Sequence, residues 1–426
     1  MAAEGAGKIA GVSRGMERFF EGRRFHYIAC FLVAAATMVV YSNSFTAAFH
    51  FDDIPLIVEN YKIRNLHNIP ALLFSHRGVT IATFALNYAV GGINTVGYHL
   101  VNTAIHIANG IMLYFLVFLT LHRTRKAGEG EDLWSKRIAI CAALLFAVHP
   151  IQTQAVIYLV QRMEILASLF YLLALLLFIK GAATSSAGRR TLFYGGVVLS
   201  YILGFASKEI AITLPAVILL YDFTFISRGS FRGLLKRWPL YGALTALLVF
   251  FVIKTLIPLG GFSDVSAASA GFGVKSIAPL EYLFTQFNVL IYYIVLLIAP
   301  RVQNLDYDFP VSHGLFELPQ ISEGTILNSP LPPPFVSLIV LLLIIGCGIY
   351  LLVRSIGADG RRGRMISFSI FWFFILLSPT SSFIPIVDVI FEHRPYLASA
   401  GFFVILAIVL DALFLKSGSG ARSVES

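Results

Sequence analysis

The stretch FVSLIVLLLIIGCGIYLLV, residues 335–353, decides the fold class of this chain. It runs for 19 residues without a charged side chain, close to the ~20 apolar residues that a helix needs to cross a bilayer. Comparable runs recur along the sequence, in which 57% of the residues are hydrophobic and 13% are charged. Because soluble domains carry about 25% charged residues, this composition excludes a soluble globular protein and indicates an all-α polytopic membrane protein.

The apolar runs predict ten membrane-spanning helices, near residues 26–47, 97–121, 137–149, 156–179, 191–206, 210–226, 239–258, 335–353, 365–379 and 396–415. One further apolar segment, 277–300, carries Gln286 and Asn288 and lacks a partner span that would return the chain to the same side. We therefore predict that this segment is a re-entrant or interfacial element on the outer face, buried against protein. The mildly amphipathic segment 62–92 is expected to lie along the membrane interface.

The basic residues predict the orientation in the membrane. Of the 32 Lys and Arg residues, 23 fall in six clusters, at 8–24, 123–137, 180–190, 228–237, 354–364 and 416–422. Cytoplasmic loops are enriched in Lys and Arg, so we predict that both termini and all six clusters face the cytoplasm. The net charge of +9 is then explained by topology, and a nucleic-acid partner is not needed.

This topology predicts the organisation of the domain. A cytoplasmic N-terminus at 1–25 precedes a transmembrane domain at 26–416, and a cytoplasmic tail follows at 417–426. The outer face carries a first loop at 48–96 and a second outer region at 259–334. The three cysteines all lie in apolar runs and imply neither a disulfide nor a metal framework.

An acidic pair follows the first predicted helix, in the sequence Phe49-His-Phe-Asp-Asp-Ile-Pro55. Like charge and partial burial both raise the pKa of a carboxyl group, which suits Asp52 or Asp53 to act as a general base. The alternative interpretation is a solvated loop start or a helix N-cap before Ile54 and Pro55.

The second predicted helix carries four polar residues on one face, at steps of three, four and three: His99, Asn102, His106 and Asn109. We interpret this face as interhelical hydrogen bonding rather than a functional cavity. Metal binding by the two histidines is disfavoured, because seven residues of helix separate them by about 10 Å.

Four basic residues outside the clusters lie near acidic or polar groups at predicted helix ends: Arg77, Arg162, Lys208 and Arg394. Arg can grip a phosphate with two parallel hydrogen bonds, and Lys offers it a point charge. The alternatives are snorkelling and interfacial anchoring. Neighbouring residues are candidates for supporting these cations or for contacting a sugar: Glu164, Glu209, Asp306, Asp308, Glu392 and His393. For Asp306 and Asp308 the alternative is a polar loop.

Several motifs together resemble a known family: FDDIPLIVEN at 51–60, TFALNYAVGG at 83–92, GYHLVN at 97–102, HPIQTQAV at 149–156, QRMEILASLFYLL at 161–173, SKEIAITLP at 207–215, NLDYDFP at 304–310 and EHRPYL at 392–397. In this order they resemble the class C membrane glycosyltransferases. The closest resemblance is to the membrane half of the transmembrane-and-tetratricopeptide-repeat O-mannosyltransferases and their bacterial relatives.

The resemblance implies a bundle of about 10–11 transmembrane helices whose first outer loop carries interfacial helices. It also implies a polyprenyl-phosphate sugar donor, with mannose as the candidate sugar, a protein or glycan hydroxyl as acceptor, and inversion at the anomeric carbon. Asp52 would be the base, with Asp53 beside it, while Arg162, Lys208 and Arg394 would hold the lipid phosphate. We expect no cofactor and no metal.

The sequence also departs from the resemblance. No tetratricopeptide array follows the membrane domain, so we expect no acceptor recognition of that kind. Gly78 stands where the relatives often have proline, and Gln152 and Gln154 stand where histidine and glutamate are common, so neither glutamine is assigned a catalytic role.

The compact loops suggest a bacterial inner-membrane protein with its active site facing the periplasm. The alternatives are a transporter or flippase of a lipid-linked or anionic substrate, a polymerase moving another lipid-linked group, and a structural scaffold. A transporter would place its charges near the bilayer midplane, whereas the candidate residues lie at helix ends.

Overall fold

The computed structural model describes residues 22–125, 133–259, 271, 274, 276–301, 303–319, 331–356 and 360–420. Its regular elements are helices, and those residues form no β-strand, as the sequence predicts. The twelve longer helices are α1 (Arg24–Tyr41), α2 (Gly78–Gly91), α3 (Thr95–Arg123), α4 (Leu133–Val148), α5 (Arg162–Ala183), α6 (Ala187–Phe205), α7 (Leu214–Tyr221), α8 (Trp238–Leu259), α9 (Pro279–Ile298), α10 (Pro334–Ile356), α11 (Arg361–Leu377) and α12 (Ser399–Gly420).

Six of the described helical segments are long and apolar enough to cross a membrane: Arg24–Ser44, Thr95–Arg123, Leu159–Ala183, Glu209–Ile226, Pro279–Ile298 and Pro334–Ile356. A seventh is obtained if α4 and the segment Pro150–Ile157, bent by 53°, count as one span. The predicted polytopic membrane protein is thereby confirmed. The number of ten spans stays a prediction, because α6, α8, α11 and α12 do not pass this test of length and composition.

Contacts between helices place the internal basic clusters at one end of the bundle. At the end of α3, Arg123 donates a hydrogen bond to the carbonyl oxygen of Ile179, near the end of α5. Near the start of α4, Arg137 pairs with Asp411 of α12 at 2.9 Å, and Arg362 lies 3.9 Å from the same carboxylate. We call this the basic end and the opposite one the site end. Residues 1–21 and 421–426, with most of the two terminal basic clusters, lie outside the described residues.

The polar face of α3 forms hydrogen bonds between helices. This is the interpretation that the sequence analysis favoured over a functional cavity. His106 bonds through Nδ1 to the hydroxyl of Tyr396 at 2.7 Å and through Nε2 to the carbonyl of Ala147 at 3.0 Å. Asn109 donates to the carbonyl of Ile165 and to the same Tyr396 hydroxyl. These bonds satisfy both ring nitrogens of His106 and the amide nitrogen of Asn109, which burial in an apolar bundle would otherwise penalise. They join α3 to α4, to α5 and to the turn that precedes α12.

Helix α9 lies within the segment predicted to stay on the outer face, and both of its ends contact the site end. Tyr282, near its start, donates to the carbonyl of Thr380, which follows α11. Gln303, shortly after its end, donates to the carbonyl of Pro150, which follows α4, at 2.9 Å. These contacts support the prediction of a helix that does not cross the bilayer. Length and composition alone would allow α9 to span it, so the path stays a prediction.

Candidate functional site at one end of the bundle

Residues 150–164 form a bent connection between α4 and α5, and we call them the bent segment. The segment consists of Pro150–Gln152, Thr153–Ile157 and Leu159–Gln161, followed by the first turn of α5. Pro150 lacks an N–H and cannot continue the hydrogen-bonded ladder of α4. Side chains and backbone groups of this segment contact most of the candidate residues predicted from the sequence.

Asp53 binds the first outer loop to the bent segment through hydrogen bonds. One carboxylate oxygen accepts the backbone N–H of Val160 at 2.7 Å, and the other accepts that of His50 at 3.1 Å. The side chain is only 1% exposed, and burial raises the pKa of Asp53 to about 6. With both oxygens occupied by backbone donors, Asp53 is suited to positioning the loop rather than to proton transfer.

Asp52, next to Asp53, is exposed. Its backbone N–H donates a hydrogen bond to the hydroxyl of Tyr158 at 3.0 Å. The adjacent carboxylates therefore differ in environment, and the one predicted to be the base is the one open to water.

Lys208 and Glu164 form an ion pair at the site end, with 2.7 Å between Nζ and Oε2. The side chains are 14% and 1% exposed respectively. Lys208 also donates to the side-chain oxygen of Gln161 at 3.3 Å, and burial lowers the pKa of Lys208. The second carboxylate oxygen of Glu164 is buried without a hydrogen-bond partner. A buried acceptor of this kind is costly.

Arg77 pairs with Glu209 through two hydrogen bonds, of 3.2 and 3.0 Å. His76 contacts the same carboxylate at 2.6 Å. Arg77 precedes α2 with a left-handed backbone, at φ 53°. At Gly78 a Cβ would lie 2.2 Å from the carbonyl oxygen of Leu72. The glycine that departs from the family pattern is therefore required by this close turn.

Arg162 does not lie where it could bind a phosphate as predicted. Its side chain is fully buried, and every guanidinium nitrogen is bonded to protein. Nε donates to Asn102 at 2.7 Å and Nη2 to the carbonyl of Tyr98 at 3.1 Å, while Nη1 bonds to Thr83 and Asn87. Arg162 also does not pair with Glu164. It instead joins α2, α3 and α5, and we leave it out of the proposed phosphate-binding set.

Glu392, His393 and Arg394 precede α12 in a buried turn. Glu392 accepts hydrogen bonds from the side chain of Gln303 and the backbone of Asn304, each at 2.7 Å, and from the hydroxyl of Tyr307. Burial raises the pKa of Glu392. The Arg394 guanidinium donates to the carbonyl oxygens of residues 388 and 389. Glu392, a candidate for supporting the cations, forms no ion pair with Arg394.

His393 places this turn beside the cations. Burial lowers the pKa of His393 well below its ordinary value, and so do the charges of three residues: Lys208, Arg394 and Arg77. Both its backbone N–H and Nδ1 bond to the side-chain oxygen of Gln154, at 2.7 and 2.9 Å. Arg77, Lys208 and Arg394 are therefore close enough to act on one histidine, although they come from distant parts of the sequence.

The segment 304–308 reaches the site through its backbone. The carbonyl of Leu305 accepts a hydrogen bond from Gln154 at 2.8 Å, and the backbone N–H of Asn304 binds Glu392. The side chains of Asp306 and Asp308 remain exposed. Their predicted contact with a sugar stays a prediction.

Three residues of the bent segment that contact candidate residues were given no role from the sequence: Gln154, which was considered, and Tyr158 and Gln161, which were not. Gln154 and Gln161 lie within quoted motifs, and Tyr158 lies between two of them, so proximity to the motifs was an available signal. These residues reach the site because the chain bends by 53° between α4 and the segment Pro150–Ile157. Within the described ranges, no group of three or more His, Cys, Asp or Glu residues could hold a metal ion.

No protein-family model matches the chain, and no solved structure matches it. The chain is 31% identical to protein O-mannosyl-transferase TMTC3 of Mus musculus over 219 residues, which are 46% of this chain and 22% of that protein. It is 31% identical to TMTC2 of Homo sapiens over 255 residues, 54% of this chain and 28% of the relative. With human TMTC4 the identity is 27% over 228 residues, 48% of this chain and 30% of the relative.

The chain therefore aligns with roughly a quarter of the length of these curated relatives. The resemblance inferred from the motifs is confirmed at this level. The chain is a polytopic membrane protein related, over about half of its length, to the TMTC protein O-mannosyltransferases.

Proposed function

We propose that this protein is an inverting glycosyltransferase that moves mannose from a polyprenyl-phosphate donor to a hydroxyl group of a protein. The names of the relatives support the sugar and the protein acceptor. The observation that carries the proposal is the arrangement around the bent segment. Tyr158 binds the exposed Asp52, and Gln161, three residues later, binds Lys208. The backbone that carries an exposed carboxylate and a largely buried cation are thus both bound to residues 158–161.

In the proposed reaction, the acceptor hydroxyl oxygen attacks the anomeric carbon from the face opposite the phosphate. Asp52 takes the hydroxyl proton as the new carbon–oxygen bond forms. The bond between the anomeric carbon and the phosphate oxygen breaks, and the electron pair leaves with the polyprenyl phosphate. Inversion follows from this single displacement.

The cations stabilise the leaving phosphate. The charges of Lys208, Arg77 and Arg394 all act on His393, so we place the leaving phosphate, where negative charge develops, near this residue. Preorganised charge in a site with little water is worth more than the same charge in solvent. Each cation is already held by protein, Lys208 by Glu164 and Arg77 by Glu209, so little reorganisation is needed when the donor binds.

The proposed membrane topology places this chemistry on the periplasmic face of a bacterial inner membrane. The basic end, with the clusters at 123–137, 180–190, 228–237 and 354–364, would face the cytoplasm. The site end would then face outward. The interfacial path of α9 and the loop at 48–96 would cover the site end, and the lipid chain of the donor would remain in the bilayer.

The proposal is tested with purified protein in detergent, radiolabelled polyprenyl-phosphate mannose and membrane extract as acceptor. We expect the wild-type protein to transfer label to protein, and Asp52→Asn to bind the donor but to lose about 10²- to 10⁴-fold in transfer rate. Glu59→Gln is the matched control, because Glu59 is an exposed carboxylate of the same loop. Donor binding without transfer by the wild type, and equal behaviour of all three proteins, would favour a transporter or flippase instead.

A further inference from the structure

Tyr158 has no role in the chemistry described so far, although it contacts the proposed base. Its hydroxyl oxygen accepts the backbone N–H of Asp52 at 3.0 Å, across 106 positions of sequence. Tyr158 lies between the short helices Thr153–Ile157 and Leu159–Gln161, with an extended backbone at φ −69° and ψ 107°. The break between these two helices is therefore the position that meets the first outer loop.

The hydroxyl group of Tyr158 fixes the backbone of Asp52 and keeps a proton of its own. Its oxygen is occupied as an acceptor by the Asp52 backbone N–H. A phenol hydroxyl is a donor as well as an acceptor, so its proton can be donated to the exposed Asp52 carboxylate when that group turns toward it.

The bent segment holds both members of the acidic pair, each by a different kind of contact. Asp53 is buried and bound by the backbone N–H of Val160, whereas Asp52 is exposed and bound by the Tyr158 side chain. An exposed aspartate without such a contact samples several rotamers. A base must instead be held within hydrogen-bonding reach of the proton that it removes.

We propose that Tyr158 is a positioning residue that holds the Asp52 carboxylate in its reactive orientation. This inference rests on the proposed function of Asp52 as the base. Removal of the hydroxyl should leave the donor-binding cations unchanged, because Lys208, Arg77 and Arg394 have other partners. It should reduce only the fraction of bound complexes in which Asp52 is aligned with the acceptor hydroxyl.

The test is Tyr158→Phe, which removes the hydroxyl and keeps the ring. We expect turnover to fall about tenfold or more, while the Kd for polyprenyl-phosphate mannose and the KM for the donor remain within twofold of wild type. Tyr98→Phe is the matched control, because the Tyr98 hydroxyl donates to the carbonyl of Gly92, at the end of α2, at 3.0 Å without touching the acidic pair. The control should retain wild-type turnover in the folded fraction.

A double-mutant cycle separates positioning from a structural role. If Tyr158 acts through Asp52, Tyr158→Phe should have no further effect in the Asp52→Asn background, whereas independent effects would multiply. Multiplying effects, or wild-type turnover in Tyr158→Phe, would overturn the inference. If Asp52→Asn has no measurable residual transfer, the comparison of turnover with donor Kd in Tyr158→Phe decides, and a parallel loss of both rejects positioning. Loss of transfer in Asp52→Asn without loss in Tyr158→Phe would leave the proposed function standing and reject only this inference.

Discussion

Two buried ion pairs, at opposite ends of the bundle, differ in how completely their carboxylates are satisfied. At the basic end, Asp222 is fully buried and pairs with Arg237 at 2.9 Å. Its oxygens also accept hydrogen bonds from the hydroxyls of Ser227 and Tyr241. At the site end, Glu164 is 1% exposed and pairs with Lys208, but its other carboxylate oxygen has no partner.

We propose different roles for the two pairs. A buried carboxylate with every lone pair engaged fixes local geometry, and its charge is balanced by the protein alone. A buried carboxylate with one oxygen unengaged carries a cost that the fold does not offset, and a bound ligand is one explanation of such a group. One oxygen of Asp411, at the basic end, also lacks a hydrogen-bond partner, but the Arg362 guanidinium lies 3.9 Å from it. We therefore propose that Asp222 and Arg237 stabilise the fold, and that Glu164 and Lys208 belong to the donor site.

The largest effect is expected for Asp222→Asn. This substitution leaves the Arg237 guanidinium without its balancing charge in a buried position and should destabilise the protein by about 3–5 kcal/mol. Thermal unfolding in detergent measures the loss, and transfer activity per folded molecule should stay unchanged. Reduced activity of the remaining folded protein would remove the distinction between the two pairs.

Asp53 adds a third kind of buried carboxylate to the comparison, because its oxygens accept hydrogen bonds from backbone N–H groups and it forms no ion pair with a Lys or Arg side chain. Its folded-state pKa of about 6, against an ordinary value of 3.8, corresponds to at most about 3 kcal/mol. Because the pKa is raised in the folded state, this stability is present below about pH 4 and is lost as the pH rises through about 6. Unfolding of wild type and Asp53→Asn between pH 4 and 8 should show a pH dependence that the variant lacks over this window. Parallel curves for the two proteins would contradict the assignment.

Glu164→Gln should affect function more than stability. The amide keeps the shape of the side chain but removes the charge that holds Lys208, and we expect donor-dependent transfer to fall about 100-fold, or about 2.7 kcal/mol in activation free energy. The loss of unfolding free energy should be smaller than for Asp222→Asn. Transfer rates and thermal unfolding, measured on the same preparations, check both parts. An equal loss of stability in the two variants would mean that the unpartnered oxygen has no functional meaning.

The smallest effect is expected for Tyr241→Phe, which removes one of the four contacts of Asp222. The remaining bonds from Arg237 and Ser227 still engage both carboxylate oxygens. We therefore expect a loss of about 1–2 kcal/mol with unchanged transfer activity. Denaturant or thermal unfolding measures this change, and a loss as large as that of Asp222→Asn would show that the pair is less well satisfied than its geometry indicates.

The membrane fold followed directly from the sequence, because apolar runs report the bilayer locally, whereas the orientation drawn from the basic clusters stays a prediction. Runs such as 335–353 correspond to single helices in the structure. The acidic pair and the cations were also identified from the sequence, since charged residues between apolar runs are rare and conspicuous. Their partners were not, because pairing depends on contacts between distant residues.

The contacts of Arg162 and Tyr158 could not be predicted from the sequence. Arg162 has the residue type and position expected of a phosphate ligand, yet Asn102 and neighbouring groups of α2 and α3 occupy its guanidinium. Tyr158 lies in an apolar run, where a tyrosine does not by itself indicate a functional residue. The bend of residues 150–164 brings its hydroxyl to Asp52. Both outcomes depend on how three helices pack, which spacing within one helix does not determine.

The most direct test of this account is the affinity of polyprenyl-phosphate mannose for Lys208→Met and Arg237→Met, two variants that each remove one buried cation of an ion pair. Equilibrium binding is measured on the folded fraction of each protein. We expect Lys208→Met to bind the donor at least tenfold more weakly than wild type, and Arg237→Met to bind it with wild-type affinity despite a lower unfolding temperature. Equal affinities in the two variants would contradict the claim that the site end is where the donor phosphate binds.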